Sequence, residues 1–388
     1  MEFWGYRRPD GKVGVRNHVL VIATVGCAGE VAKKVADALN GTVSFISQGG
    51  CAEAEKDLAA TNAVLLGMIA NPNVYGTIAI GLGCEFNNMP RFLALARERT
   101  CKPIVGFTIQ EEGGSINTIA AATRAAQQMV SEASECVREL CDISEFMLGI
   151  ECGGSDATSG LVSNPVMGRV SDKLVAMGGT AMFSETIEMI GAEHLLAARA
   201  ATPEVGQKIL DVVKGREEEQ IRCGEDIRKI QPSPGNKAGG ITTLEEKSLG
   251  CIHKGGHTPV MEMCDYAQTP TKKGLVLMDS PCYDLLSVTA KVAAGCQVIV
   301  FTTGRGNTIG NPVAPVMKVT ANGETYRHML DNHDMDMSAV VEGTRTLDEQ
   351  ADITMAEIVK VMSGKLTKAE INKFGYAETV TSRPCEYI

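Results

Sequence analysis

Phe146-Met147-Leu148-Gly149-Ile150-Glu151-Cys152-Gly153-Gly154-Ser155-Asp156 is the stretch on which the reading of this chain turns. Its first half is apolar without alternation, the pattern of a strand buried on both faces of a parallel sheet. Its second half breaks at two glycines, which let a backbone turn sharply or come close to a ligand. Two carboxylates, a thiol and a hydroxyl stand around them. A stability core has little use for so many polar groups at one strand end. A site does.

The same grammar repeats toward the N-terminus. An apolar run from Val19 to Val25 ends in Gly26-Cys27, and helical spacing follows, with Val31, Val35 and Leu39 on one face. Val43 to Ile46 ends in Ser47-Gln48-Gly49-Gly50-Cys51, ahead of a helix from about Glu53 to Ile69. Thr77 to Ile80 ends in Gly81-Leu82-Gly83-Cys84-Glu85, and a strand from Ile104 to Ile109 precedes a long helix from Ile116 to Leu140. Toward the C-terminus come a helix at Met167–Met177 and a strand at Thr180–Phe183 that runs into Ser184-Glu185-Thr186-Ile187-Glu188. Residues 204–230 read as a charged, solvated helix. From Pro232 to Gly256 all periodicity is lost, and a loop of that length inside a compact domain is usually functional, so it reads as a wall of the site. Strand Leu275–Met278 ends in Asp279-Ser280-Pro281-Cys282-Tyr283-Asp284. Strand Val298–Phe301 ends in Thr302-Thr303-Gly304-Arg305-Gly306-Asn307, which resembles an anion-holding turn.

Strands alternating with helices predict an α/β protein with parallel sheets flanked by helices. The expected division is residues 1–144 and 145–388, two parallel-sheet α/β domains with the site between them. In such sheets ligands bind beyond the carboxyl ends of the strands. Four of those ends carry Cys27, Cys51, Cys84 and Cys152. Each alone reads as a small buried packing residue or as a ligand; repetition at one topological position favours a shared site.

Bulk properties remove several functions. A net charge of −10 without a basic cluster argues against nucleic acid or an anionic membrane surface. No run approaches the roughly 18 apolar residues of a membrane span, and the N-terminus lacks the apolar core of a signal peptide. A cytoplasmic location is expected, in which the thirteen cysteines are thiols or metal ligands rather than disulfides. His253 and His257, with Gly255 and Gly256 between them, read as loop histidines. Neither a Walker A loop nor a complete dinucleotide fingerprint is present.

Six motifs together resemble the altronate/galactarate dehydratase family. They are Gly5-Tyr6-Arg7-Arg8-Pro9-Asp10-Gly11 with Gly14-Val15-Arg16-Asn17, Gly81-Leu82-Gly83-Cys84-Glu85, and Glu151-Cys152-Gly153-Gly154-Ser155-Asp156. Ser233-Pro234-Gly235-Asn236-Lys237 with Gly239-Gly240, Glu246-Lys247-Ser248-Leu249-Gly250, and Thr303-Gly304-Arg305-Gly306 complete the set. The resemblance spans nearly the whole chain in order. It implies a lyase that removes water from a sugar acid, with a divalent metal, typically iron(II), and a separately encoded small subunit. It also implies the alternative of a sulfolactate sulfo-lyase large subunit that expels sulfite. A non-catalytic anion-binding homologue is a third reading, and a homo-oligomer is expected. Two places depart from the sugar-acid enzymes: Ser47 stands where they often have histidine, and Asn71-Pro72-Asn73 where His-Pro-Asn is usual.

Dehydrating a 2,3-dihydroxy acid means removing a very weakly acidic proton, and the enediolate that develops needs a metal or fixed cations. Cys51, Cys84 and Cys152, with Glu85, are the expected metal ligands. Lys247 is the expected base, given burial and neighbouring cations to lower its pKa; pairing on the surface with Glu245 or Glu246 is the alternative. Glu151 and Asp156 are expected to assist. Arg305 and Arg16 are the expected carboxylate clamps, or else salt bridges between domains. Ser155, Asn236, Lys237 and Lys254 complete the expected substrate contacts.

Overall fold

The computed structural model describes residues 1–375; the ending Arg383 to Ile388 lies outside them. Two parallel sheets dominate. The smaller has the order β4-β3-β5-β6, built from β3 (His18–Ala23), β4 (Thr42–Ile46), β5 (Val74–Gly81) and β6 (Ile104–Thr108). The larger starts at β8 (Met147–Cys152) and adds β9 (Thr180–Phe183), β10 (Val260–Cys264), β11 (Gly274–Met278), β12 (Val298–Thr302), β13 (Val316–Thr320) and β14 (Met335–Asp336). Its order is β10-β11-β9-β8-β12-β13-β14, and every pair is parallel. The α/β expectation holds. Every residue of β8 after Met147 is buried, as a strand covered by helices on both faces requires.

A third, antiparallel sheet corrects one expectation. The helix expected to reach Leu140 stops at Ser134, and Glu139–Asp142 forms β7, which pairs with β1 (Glu2–Arg7). β2 (Val13–Gly14) pairs with the other edge of β1. Pairing with a strand more than a hundred residues away decides the conformation here, not local propensity.

Two helices join the parallel sheets. Glu55–Ala70 lies against Asp284–Ala294 in one continuous apolar core that includes Leu65, Met68, Val288 and Ala293. The Asn71 carboxamide donates to the Val292 and Cys296 carbonyls at 2.7 and 3.0 Å, and that of Asn73 to Gln297 and Val313. Asn71-Pro72-Asn73 is thus part of the joint between the sheets.

Residues 232–256 are mostly short helices rather than a loop. Pro234–Ala238 carries a capping box between Ser233 and Asn236, and Leu244–Ile252 is capped by Thr243. Helices of five and nine residues show too few periods to be recognised by hydrophobic spacing, but their side-chain caps satisfy the exposed N–H groups.

Candidate functional site

Strand order builds the site. β8 is followed in the chain by β9 on one side, and β12 returns on its other side, so the order reverses between β8 and β12. Crevices at such reversals are the usual ligand sites of open α/β sheets. The loops after both strands meet there: the Gly154 carbonyl accepts from Gly304 N at 3.2 Å and Arg305 N at 2.9 Å. A cavity of about 290 Å³ opens beside them, lined by Ser155, Glu185, Lys247, Cys282, Asp284 and Arg305, among others. A larger hollow of about 780 Å³ lies elsewhere, against Lys33, Phe45 and Glu370. The smaller one brings Cys152 and Cys282 together with Glu185 and Asp284, whose pKa values are raised, so it is the candidate site.

Its floor is a buried charge network. The Lys254 ammonium, fully buried, donates to Cys152 Sγ at 2.9 Å and Glu188 Oε2 at 3.1 Å. Lys247 lies 3.3 Å from the other Glu188 oxygen and donates to Gln231. Cys152 and Cys251 are 3.4 Å apart. Burial alone would lift the Glu188 carboxyl, but Lys254 and Lys247 reverse that and hold it well below the carboxylate range. Deeper still, Lys291 pairs with Glu151, helped by Ser184 and Ser287.

Above the floor, acidity is left over. Glu151, Glu185 and Asp284 offer carboxylate oxygens all within 4.8 Å of one another, and Glu185, Glu188 and Cys282 form a second such group. Burial, then Glu151 and Glu188, push Asp284 up to about 7. Burial, then Glu151 and Cys282, push Glu185 well up. Glu185 Oε2 and Ser155 Oγ are buried without a hydrogen-bond partner. Glu185 also has φ +70°, a left-handed backbone that a non-glycine residue adopts at a cost and that clusters at functional sites. Gly153 makes room for Asp284: a Cβ there would lie 2.4 Å from its carboxylate oxygen.

These groups bear directly on a metal. Of the donors Cys152, Glu188 and Cys251, the first two are met by the Lys254 ammonium and the third by the Cys152 sulfur. Glu185, common to both remaining groups, keeps a free oxygen beside Asp284 and Cys282. An oxygen-rich set with two carboxyls lifted by burial and by neighbouring anions suits a divalent cation.

The expected site residues separate into three sets. Cys152, Lys247, Lys254, Glu151, Ser155, Asn236 and Arg305 come together around the cavity or beneath it. Asp156 and Asn236 hold the loops: Asp156 accepts from Thr158, Ser159 and Asn322, and Asn236 donates to the Ser155 carbonyl at 2.9 Å. Lys237 is exposed. Lys247 is buried and pairs with neither Glu245 nor Glu246, and the neighbouring cations expected to lower its pKa are replaced by anions. Burial pulls the ammonium down, but Cys282 and Glu188 outweigh it and raise its pKa well above the usual value.

Arg16 lies apart. Its five N–H groups go to Glu370, which takes two of them, and to the carbonyls of Val15, Val361 and Lys365, so no donor remains for a substrate. Cys51 and Cys84 are exposed at strand ends of the smaller sheet. Among the described residues, neither they nor Glu85 belongs to any group of three metal-competent atoms within 4.8 Å of one another. Glu85 instead accepts from Leu82 N and Gly83 N in its own turn. Glu185, Glu188, Cys251, Cys282, Asp284 and Lys291 had no role in the sequence reading. Their signal was position, since Glu185, Glu188, Cys282 and Asp284 follow strands at the carboxyl edge.

Residues 5–134 match the model of the second domain of D-galactarate dehydratase/altronate hydrolase, and residues 143–385 that of the D-galactarate/altronate dehydratase C-terminal region. The chain belongs to the D-galactarate/altronate dehydratase family. It is 39% identical to the (2R)-sulfolactate sulfo-lyase subunit beta of Chromohalobacter salexigens, over 98% of this chain and 97% of that one. It is 36% identical to an altronate dehydratase of Bacillus subtilis, over 96% of this chain and 76% of the relative. It is 33% identical to the galactarate dehydratase (L-threo-forming) of Escherichia coli, over 94% and 73%. These relatives thus carry the names of dehydratases and of a sulfo-lyase subunit. No helix among the described residues is long and apolar enough to cross a membrane.

Proposed function

We propose that this chain is the large subunit of a lyase that removes the C2 proton of a 2-hydroxy acid and expels the C3 substituent, acting as a sugar-acid dehydratase. The observation that carries this is the juxtaposition of a carboxyl poised near neutrality, Asp284, with an ammonium held by anions, Lys247, in one cavity. A base works best when its pKa lies near the operating pH. Asp284 takes the C2 proton. The C2–H electron pair becomes the C2=C3 bond, and the C3–O bond breaks. Lys247 protonates the departing hydroxyl, giving water, and the enol becomes a 2-oxo acid. Arg305, exposed at the mouth, binds the substrate carboxylate in two-pronged fashion. Ser155 Oγ supplies a hydroxyl donor without a present partner. Glu185, with Glu188 and Cys282, would hold a divalent metal, taken to be iron(II), which would supply Lewis-acid stabilisation of the developing enediolate.

A second reading is the release of sulfite from sulfolactate, leaving pyruvate by the same proton abstraction. It is favoured by the 39% identity to the sulfo-lyase subunit beta, against 36% to the altronate dehydratase. That relative's name also supports a separate small subunit as partner. A cytoplasmic enzyme fits either reading. The test is anaerobically purified protein, with and without iron(II) and the small subunit, offered altronate, galactarate and sulfolactate. A 2-oxo-3-deoxy acid without sulfite supports the first reading, sulfite the second. If no substrate exchanges its C2 proton with solvent, both fail.

A further inference from the structure

The proposed reaction leaves three thiols unused at the carboxyl end of the smaller sheet. Cys27, Cys51 and Cys84 follow β3, β4 and β5, which are adjacent in the order β4-β3-β5. Their ends are level, because Ala23 registers with Ile46 on one side and with Ile80 on the other. The strand order reverses between β3 and β5, so Cys27 and Cys84 flank this sheet's own crevice.

The loops are tied to one another. Gly26 N donates to the Gly49 carbonyl at 3.1 Å, and Thr24 Oγ1 donates to Glu85 Oε1 at 3.2 Å. Gly50 has φ +99°, and a Cβ there would lie 2.2 Å from the Thr24 carbonyl oxygen. Only glycine lets the Cys51 loop close on the Cys27 loop. Ser47 Oγ, Glu53 Oε2 and Asn87 Oδ1 are buried in and beside these loops without a hydrogen-bond partner. All three thiols are free and exposed, whereas Cys141, Cys152, Cys251, Cys264 and Cys296 are buried, as free cysteine usually is.

We infer that Cys27, Cys51 and Cys84 are the thiolate ligands of a sulfide-bridged iron cluster, bound at the carboxyl end of the smaller sheet. A single zinc ion draws its ligands into one tight tetrahedron, but these sulfurs do not all lie within 4.8 Å of one another. In a cluster each thiolate binds its own iron, so the sulfurs stand farther apart. Three thiolates on a four-iron cluster leave one iron without a protein ligand, able to accept an oxygen ligand from outside the protein without any change of oxidation state.

The inference does not rest on the lyase reading, and its test uses no turnover. The full chain, isolated without oxygen and reconstituted with iron(II) and sulfide, is expected to hold about four iron and four sulfide per chain, with the broad visible absorbance of such clusters. Cys27→Ser, Cys51→Ser and Cys84→Ser each lose most of the sulfide and absorbance, with circular dichroism unchanged. Cys101→Ser, at another exposed free thiol, keeps both. Iron bound without sulfide, or sulfide retained in all three serine variants, overturns the cluster. Product assays on the same samples report the lyase separately.

Discussion

The Lys254 ammonium lies 2.9 Å from the Cys152 sulfur and shares Glu188 with Lys247. One carboxylate therefore holds two buried ammonium groups in place. Removing one partner of a buried pair leaves an uncompensated charge and costs about 3–5 kcal/mol. Lys254→Met is expected to lower unfolding free energy by that amount in denaturant titration. Adding Glu188→Gln should recover part of it. A single variant as stable as the parent would show that Lys254 is not charged in the folded state.

Asp284 sets the expected pH dependence. Its folded pKa of about 7 is raised above the ordinary value of 3.8, chiefly by burial. The kcat/KM of the parent should therefore rise through pH 7 as the carboxylate forms, and Asp284→Asn should lose about 10²–10⁴-fold in rate together with that limb. The same raised pKa makes the carboxyl's contribution most favourable below the unfolded value and lost as pH climbs through the folded one. Asp284→Asn should thus melt higher than the parent at pH 8, with the gain shrinking toward pH 5. An unchanged acidic limb in the variant assigns the base elsewhere.

Arg305 and Arg16 should respond differently to truncation. Arg305→Ala is expected to raise KM by roughly tenfold or more with little effect on melting, since a guanidinium–carboxylate pair at a partly exposed mouth binds more than it supports. Arg16→Met, which strands Glu370, should cost about 3–5 kcal/mol of stability and leave KM unchanged. A KM effect at Arg16 with normal stability would return it to the substrate site.

Gly153 gives a finer probe. A Cβ there meets the Asp284 carboxylate at 2.4–2.7 Å, too close to be accepted without movement. Gly153→Ala is expected to cost about 1–3 kcal/mol by overpacking and to reduce kcat more than KM, because the base is displaced. Equal kcat in alanine variant and parent would mean that Asp284 can shift without consequence.

The sequence by itself determined the two parallel sheets and the family, and it pointed to the strand ends as the candidate functional edge. Unbroken apolar runs such as Met147–Ile150 and the helical spacing of Val31 and Val35 are local signals, set by a few neighbours. It also picked out Cys152, Lys247, Lys254 and Arg305, which the structure gathers around one cavity or just beneath it. What only the tertiary structure decided is which strand ends are neighbours. The order β11-β9-β8-β12 places the loops holding Asp284, Glu185, Cys152 and Arg305 side by side although they are scattered over 154 positions, from 152 to 305. The same folding turned Lys247 from a surface residue or base into a buried ammonium, gave every donor of Arg16 to Glu370 and backbone carbonyls, and left Cys51 and Cys84 on the other sheet from Cys152. Charge state follows from burial and neighbours, and neither is a property of a residue until the chain has folded.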